Sequence, residues 1–219
     1  MQAEALLRGR KPVASYILQS YAPPAWIYGP ACRLPPKPAL SFGCKHGTPK
    51  QRASEKVTFP DLWTNTCCPH PLAVPDEMGV DLPSSIVGAQ RAARRKLNHE
   101  LGIHRGEVPL EDFKFLTRIH YLAASDGKWG EHEIDYVLLI KLERGGVALE
   151  VNPNEVRDTR WISSAELLDM FKDPAPKFTP WFKLICDIVL SKWWEHLDSG
   201  LGNLGDDEIR RIHKKGTLA

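Results

Sequence analysis

No stretch of this 219-residue chain holds the ~18 consecutive apolar residues that a membrane-spanning helix needs. No basic-then-apolar leader opens it either, because Pro23 and Pro24 break its best N-terminal apolar stretch. Charge of neither sign dominates. The net charge of +2 gives no overall field to draw in nucleic acid or an anionic membrane, so any phosphate binding must come from local Lys and Arg clusters. Cysteine is sparse and irregular: Cys32, Cys44, Cys67, Cys68 and Cys186 are odd in number, with two adjacent. That argues against a secreted disulfide framework and fits a reducing compartment better, so a cytoplasmic protein is expected.

What is present suffices for a core. Apolar residues make up 42% of the chain beside 26% charged, and the length suits one compact domain with an added segment. The two parts differ in kind. Residues 1–50 carry Pro12, Pro23, Pro24, Pro30, Pro35, Pro36, Pro38 and Pro49, which forbid a long helix and remove donors from any central strand. An irregular segment with one short helix before Tyr21 is expected there. Residues 51–198 read as one domain and 199–219 as a polar tail.

Within that domain, Val57–Phe59 and Leu62–Cys68 read as short strands or extended loops. Ala89, Ala92, Ala93, Leu97 and Leu101 recur at helical spacing over 86–101, with Gly102 at the place of a C-terminal cap. Phe113–Ala123 and Ile134–Leu142 are rich in β-branched and aromatic residues and predict strands. Ser163 and Glu166 have capping-box spacing for a helix ending near Phe171. Thr179-Pro180 opens another helix, with Phe182, Ile185, Val189, Trp193 and Leu197 on one stripe. Strands mixed with later helices predict an α/β (α+β) sandwich rather than a bundle or barrel.

Two segments carry candidate chemistry. Cys68-Pro69-His70 follows the extended run Trp63-Thr-Asn-Thr-Cys67. An imidazole near a thiol helps it ionise, yet a buried inert Cys beside a hydrogen-bonded His fits the same text. In Trp129-Gly-Glu-His-Glu133, strand geometry would put Glu131 and Glu133 on one face and His132 on the other. Two carboxylates so placed must share a proton or bind a cation, unless they lie on a solvated edge. Arg91, Arg94, Arg95 and Lys96 precede Glu100 on the first helix; they form either a solvated face or part of a diphosphate cradle.

These segments, in order, resemble type I isopentenyl-diphosphate isomerase, eukaryotic and fungal-like in wording. The resemblance rests on Val57-Thr-Phe-Pro, Trp63-Thr-Asn-Thr-Cys-Cys-Pro-His-Pro, Arg94-Arg-Lys-Leu-Asn-His-Glu-Leu-Gly, Thr117-Arg-Ile-His-Tyr, Ser125-Asp-Gly-Lys-Trp-Gly-Glu-His-Glu-Ile-Asp-Tyr, Thr179-Pro-Trp-Phe and Lys192-Trp-Trp. It implies a Nudix-like α/β/α sandwich with a mixed sheet, and interconversion of isopentenyl and dimethylallyl diphosphate in the mevalonate pathway of isoprenoid biosynthesis. Cys68 and Glu133 would exchange the protons, Tyr121 would assist, and Trp181 would face the tertiary cation. Arg52 and Lys56 would contact the diphosphate, with Arg95 and Lys96 as further contacts. His70, Glu131 and Glu133 would ligate a divalent ion (Mg²⁺, or Mn²⁺ or Zn²⁺), and Glu100 would hold Mg²⁺ on the diphosphate. A monomer acting on a small isoprenoid diphosphate, with no nucleic-acid partner, is implied.

The chain departs from the family's pattern at two places. The family takes two further metal-binding histidines and some sheet strands from its N-terminal segment, which residues 1–50 do not match. Only His46 lies there, so the expectation is a metal site short of two ligands and a sheet short of N-terminal strands. Pro69 stands where a Ser is common. Two other readings follow: a truncated or inactive variant of this isomerase, and a Nudix diphosphate hydrolase. The second lacks the helix carboxylate cluster its chemistry needs, since Lys96 stands beside Glu100 alone.

Overall fold

The computed structural model describes residues 13–18, 38–40, 42–43, 47–126, 128–143, 147–187 and 205–211. Its organising element is a hairpin of β6 (Lys114–Ala124) and β7 (Gly130–Glu143), antiparallel in register from Lys114↔Leu139 to Ala124↔Gly130. β1 (Val13–Leu18) pairs antiparallel with the far half of β7, and β3 (Phe42–Gly43) pairs antiparallel with β1. Parallel pairs join β2 (Pro38–Leu40) to β7 and β9 (Ile209–Arg211) to β6, so the six-stranded sheet is mixed. A separate three-stranded sheet places β4 (Lys50–Arg52) between β5 (Trp63–Thr64) and β8 (Val156–Thr159).

Three of these strands lie in the Pro-rich segment read as irregular. β1 replaces the short helix expected before Tyr21, and the sheet does have strands from residues 13–43. The reason is non-local: Val13-Ala-Ser-Tyr-Ile-Leu has the composition of a strand, and β7 extends past β6 to offer an edge. β9 likewise falls within the stretch read as a polar tail.

Helices cover both faces of the main sheet. α1 (Leu82–Leu101) lays Ala89, Ala93, Leu97 and Leu101 on Tyr136, Leu138, Ile140 and Leu142, the even-numbered face of β7. Asp81 caps its start, and Gly102, at φ 70, ends it in the left-handed conformation that only glycine adopts without strain. α2 (Ser164–Lys172) starts at the Ser163/Glu166 capping box, and α3 (Pro180–Ile185) has Pro180 in its first turn. They bury Leu167, Trp181, Phe182 and Ile185 against Ile119, Tyr121, Val137 and Leu139 on the other face. Val189, Trp193 and Leu197, the rest of the expected stripe, lie outside the described residues. β7 is thus buried on both sides, which explains its near-continuous apolar run. Among the described residues, no helix is long and apolar enough to cross a membrane.

Candidate active site

β7 begins at Gly130, earlier than its apolar run announces, and so includes both glutamates of the Trp129–Glu133 segment. Strand alternation turns Glu131, Glu133 and Asp135 inward, at 5%, 9% and 1% exposure, and leaves His132 exposed. Tyr121 projects from β6 onto the same surface, where its hydroxyl lies 2.8 Å from Glu133 Oε2 and 3.2 Å from Glu131 Oε2. The other oxygen of Glu131 accepts from Thr58 Oγ1 at 2.6 Å. Burial first, then the nearby Asp135, Glu133 and Glu131 carboxylates, push the Tyr121 phenol well above its usual range. It stays protonated and acts as a donor.

Trp181 of α3 roofs this surface. Its ring stacks on Tyr121 at 5.5 Å between centroids and 29° between planes, and meets Phe59 edge-on at 5.0 Å. The turn presenting Thr58 and Phe59 holds two non-glycine residues at positive φ, Phe59 at 48° and Asp61 at 60°. Such strain persists only where the surroundings impose it, and here the turn presses against the carboxylates.

Cys68 reaches this assembly through Asn65. The Asn65 amide lies 3.2 Å from the sulfur through Nδ2 and 3.3 Å through Oδ1. The same Oδ1 accepts the Trp181 indole N–H at 3.0 Å and the Thr64 hydroxyl at 2.8 Å. Burial pushes the Cys68 thiol up, against the opposing pull of Lys50 and Arg52. Cys67, its neighbour, is wholly buried and pushed well up by burial and then by Glu100. Cys68 lines a cavity.

That cavity, about 500 Å³, has five cationic side chains on its wall, Lys50, Arg52, Lys56, Arg95 and Lys96, against the carboxylates Glu55, Glu100 and Glu155. Cys68, His70 and Thr58 line it too, whereas Tyr121, Glu131, Glu133 and Trp181 do not. Thr58 connects the two regions: it lines the cavity, bonds Glu131, and accepts Arg52 Nη2 at its carbonyl at 2.8 Å. Arg52 also lies 6.0 Å over the Trp181 ring, and its buried Nε has no hydrogen-bond acceptor among the described residues. Lys56 and Lys96 both hold Glu155, at 2.6 and 3.2 Å. Arg95 grips Glu77 with two bonds of 2.6 and 2.8 Å and the His70 carbonyl at 2.8 Å, so it frames the wall.

The expected substrate contacts Arg52, Lys56, Arg95 and Lys96 therefore share one cavity, and Cys68 and Glu133 each connect to Trp181 through one intermediary, Asn65 and Tyr121. Of the expected metal ligands, Glu131 and Glu133 meet at the Tyr121 hydroxyl, while His70 and Glu100 line the cavity. Among the described residues, no group of three or more His, Cys, Asp or Glu is placed to hold an ion; His46 lies outside those residues. At Glu100 the donor set does not fit an ion. Both carboxylate oxygens are taken by ammonium groups, Lys50 on Oε2 and Lys96 on Oε1 at 3.1 Å.

Sequence reasoning missed Lys50, Thr58, Asn65, Glu77 and Glu155. A signal existed for Asn65. Thr64, Asn65 and Thr66 are polar yet flanked by Trp63 and Cys67, and all three are 0% exposed, a pattern that requires side-chain partners. Lys50 gave none, since its partner lies fifty positions away.

The helix α1, the β6–β7 hairpin and the layers around them form the Nudix class of α/β fold; the NUDIX domain pattern matches residues 87–182. Over 164 residues the chain is 60% identical to an isopentenyl-diphosphate delta-isomerase of Gibberella zeae, covering 74% of this chain and 64% of that one. The corresponding figures are 56% over 149 residues for the Schizosaccharomyces pombe isopentenyl-diphosphate delta-isomerase, 68% and 64% covered. For isopentenyl-diphosphate Delta-isomerase 1 of Mus musculus they are 42% over 166 residues, 74% and 70% covered. The chain belongs to the isopentenyl-diphosphate delta-isomerase family. It spans under two thirds of the length of these fungal relatives.

Proposed function

We propose that this chain interconverts isopentenyl and dimethylallyl diphosphate by adding a proton at one end of an allylic unit and removing one from the other. The observation that carries the reading is the convergence of Tyr121 on Glu133 and Glu131 beneath Trp181, with Cys68 bound to the same indole through Asn65. Two proton-exchanging groups from separate segments are thereby each linked to Trp181, one through Asn65 and one through Tyr121.

Cys68, kept as a thiol by burial, gives its proton to the terminal methylene carbon. The alkene electron pair forms the new C–H bond and leaves positive charge on the tertiary carbon. The Trp181 ring stabilises that charge by cation–π attraction. Glu133 then takes a proton from the adjoining methylene, and that C–H pair becomes the new double bond. Tyr121, still protonated, holds the Glu133 oxygen in place. Proton return from Glu133 to the thiolate completes the cycle, and the reverse reaction runs with the roles exchanged.

The diphosphate takes the cavity wall of Arg52, Lys56 and Lys96, with Arg95 as the frame. The buried, acceptor-less Arg52 Nε supports an anionic occupant. The divalent ion that the resemblance implies is Mg²⁺, or Mn²⁺ or Zn²⁺. We place the chain in the cytoplasm as a monomer, with the free thiols of Cys67, Cys68 and Cys186 supporting a reducing compartment.

The test is turnover of isopentenyl diphosphate in Mg²⁺-containing D₂O, followed by NMR. Wild type is expected to form dimethylallyl diphosphate carrying deuterium. Cys68→Ala and Glu133→Gln should each slow this by about 10²-fold or more while retaining a cooperative melt. A wild-type chain that melts cooperatively and leaves the substrate unchanged sinks the reading.

A further inference from the structure

Glu100 is an unusual place to find a carboxylate. It is 2% exposed and stands in the last turn of α1, where the helix carbonyls disfavour negative charge. A buried carboxylate there requires a cation. The cation comes from β4. Lys50 and Arg52, two apart on that short strand, turn to the same buried side and both line the cavity. Lys50 Nζ lies directly on Glu100 Oε2, and both side chains are only 3% exposed. Lys96, one turn back on α1, takes Oε1 at 3.1 Å. A divalent ion on Glu100 would have to displace a buried ammonium and then sit beside it.

We infer that the Lys50 ammonium occupies the cation position on Glu100, so that a diphosphate in this cavity is met by the chain's own ammonium and guanidinium groups with no divalent ion bound to Glu100. The inference rests on the proposed function only for the class of ligand. Lys50 is held at the centre of a three-stranded sheet, paired with Thr64 on one side and Thr159 on the other. Its backbone is therefore fixed, and its side chain donates to the buried Glu100 carboxylate.

Metal binding tests this without any reference to turnover. Mn²⁺ is titrated into the full chain, with free Mn²⁺ read by electron paramagnetic resonance. Wild type and Glu100→Gln should bind Mn²⁺ alike. Lys50→Met should gain one further equivalent, at least about tenfold tighter than any wild-type site, and the double variant Lys50→Met/Glu100→Gln should lose it. A wild-type site that weakens about tenfold in Glu100→Gln overturns the inference, as does a folded Lys50→Met that gains nothing. A second measurement needs no variant: amine labelling of wild type, read by mass spectrometry. Lys50 should stay protected at millimolar Mn²⁺. Labelling of Lys50 that rises saturably with Mn²⁺ would overturn the proposal even with isomerisation intact.

Discussion

At the scale of single residues, Glu100 shows how charge and burial are balanced. Burial alone would push its carboxyl up, but Lys50 and Lys96 hold it down to about 2, from an ordinary value of 4.5. A carboxyl depressed on folding stabilises the protein fully above its unfolded value, and that contribution is lost as the pH falls toward the folded one. Urea midpoints should therefore drop between about pH 5 and pH 2, by the equivalent of roughly 2–3 kcal/mol for this group. Glu77 and Glu155, also held low against burial by Arg95 and Lys56, act in the same direction. Glu100→Gln should flatten part of that fall; an unchanged pH profile would show that the pair is not formed in solution. Some of this scale was legible beforehand. Alternation alone put Glu131 and Glu133 on one face, because a strand leaves no choice. The Lys50 pairing was not legible, since nothing local marks a lysine whose partner is supplied by another element.

At the scale of elements, α1 was legible because its alanines and leucines repeat at helical spacing and Gly102 stops it. Strands β1–β3 were not, because β1 and β2 pair with the distant β7 and β3 pairs with β1, and the surrounding prolines mask the short strand composition of residues 13–18. α1 is also packed more tightly than its sequence announces. A Cβ on Gly88 would come within 2.6 Å of the Glu77 carbonyl oxygen and 2.8 Å of its carbon. Gly88→Ala should gain about 1 kcal/mol in helix propensity yet lose about 1–3 kcal/mol to overpacking. Because Glu77 holds Arg95 and the Leu72 amide, the displaced turn also loosens the cavity frame. Urea unfolding of the variant should show net destabilisation, and a more stable Gly88→Ala would mean that the 72–78 turn yields freely.

At the scale of the whole molecule, β4 of the small sheet, the segment 55–72, the second half of α1 and the loop before β8 together line a cavity whose wall carries two more positive charges than negative. Inorganic diphosphate should therefore bind without the isoprenoid tail and raise the unfolding temperature. At about a hundred times its dissociation constant the stabilisation is about 2.7 kcal/mol. The shift should shrink as salt rises from about 0.01 to 1 M, while screening shortens from about 30 to 3 Å. Differential scanning calorimetry with and without diphosphate reads both effects, and a melt indifferent to diphosphate would remove the cavity from the binding reading.

The three residues of β4 have one more consequence. Its side chains alternate, so Lys50 and Arg52 face the cavity while Gln51 does not. Insertion or deletion of a single residue just upstream would slide Gln51 into the wall and carry both cations out of it. The excess of two positive charges would fall to none in one step, with every catalytic side chain untouched. Affinity for a dianion is thus written into the reading frame of a strand as much as into the identity of its residues, and chain length near position 50 becomes a mutable parameter of ligand choice.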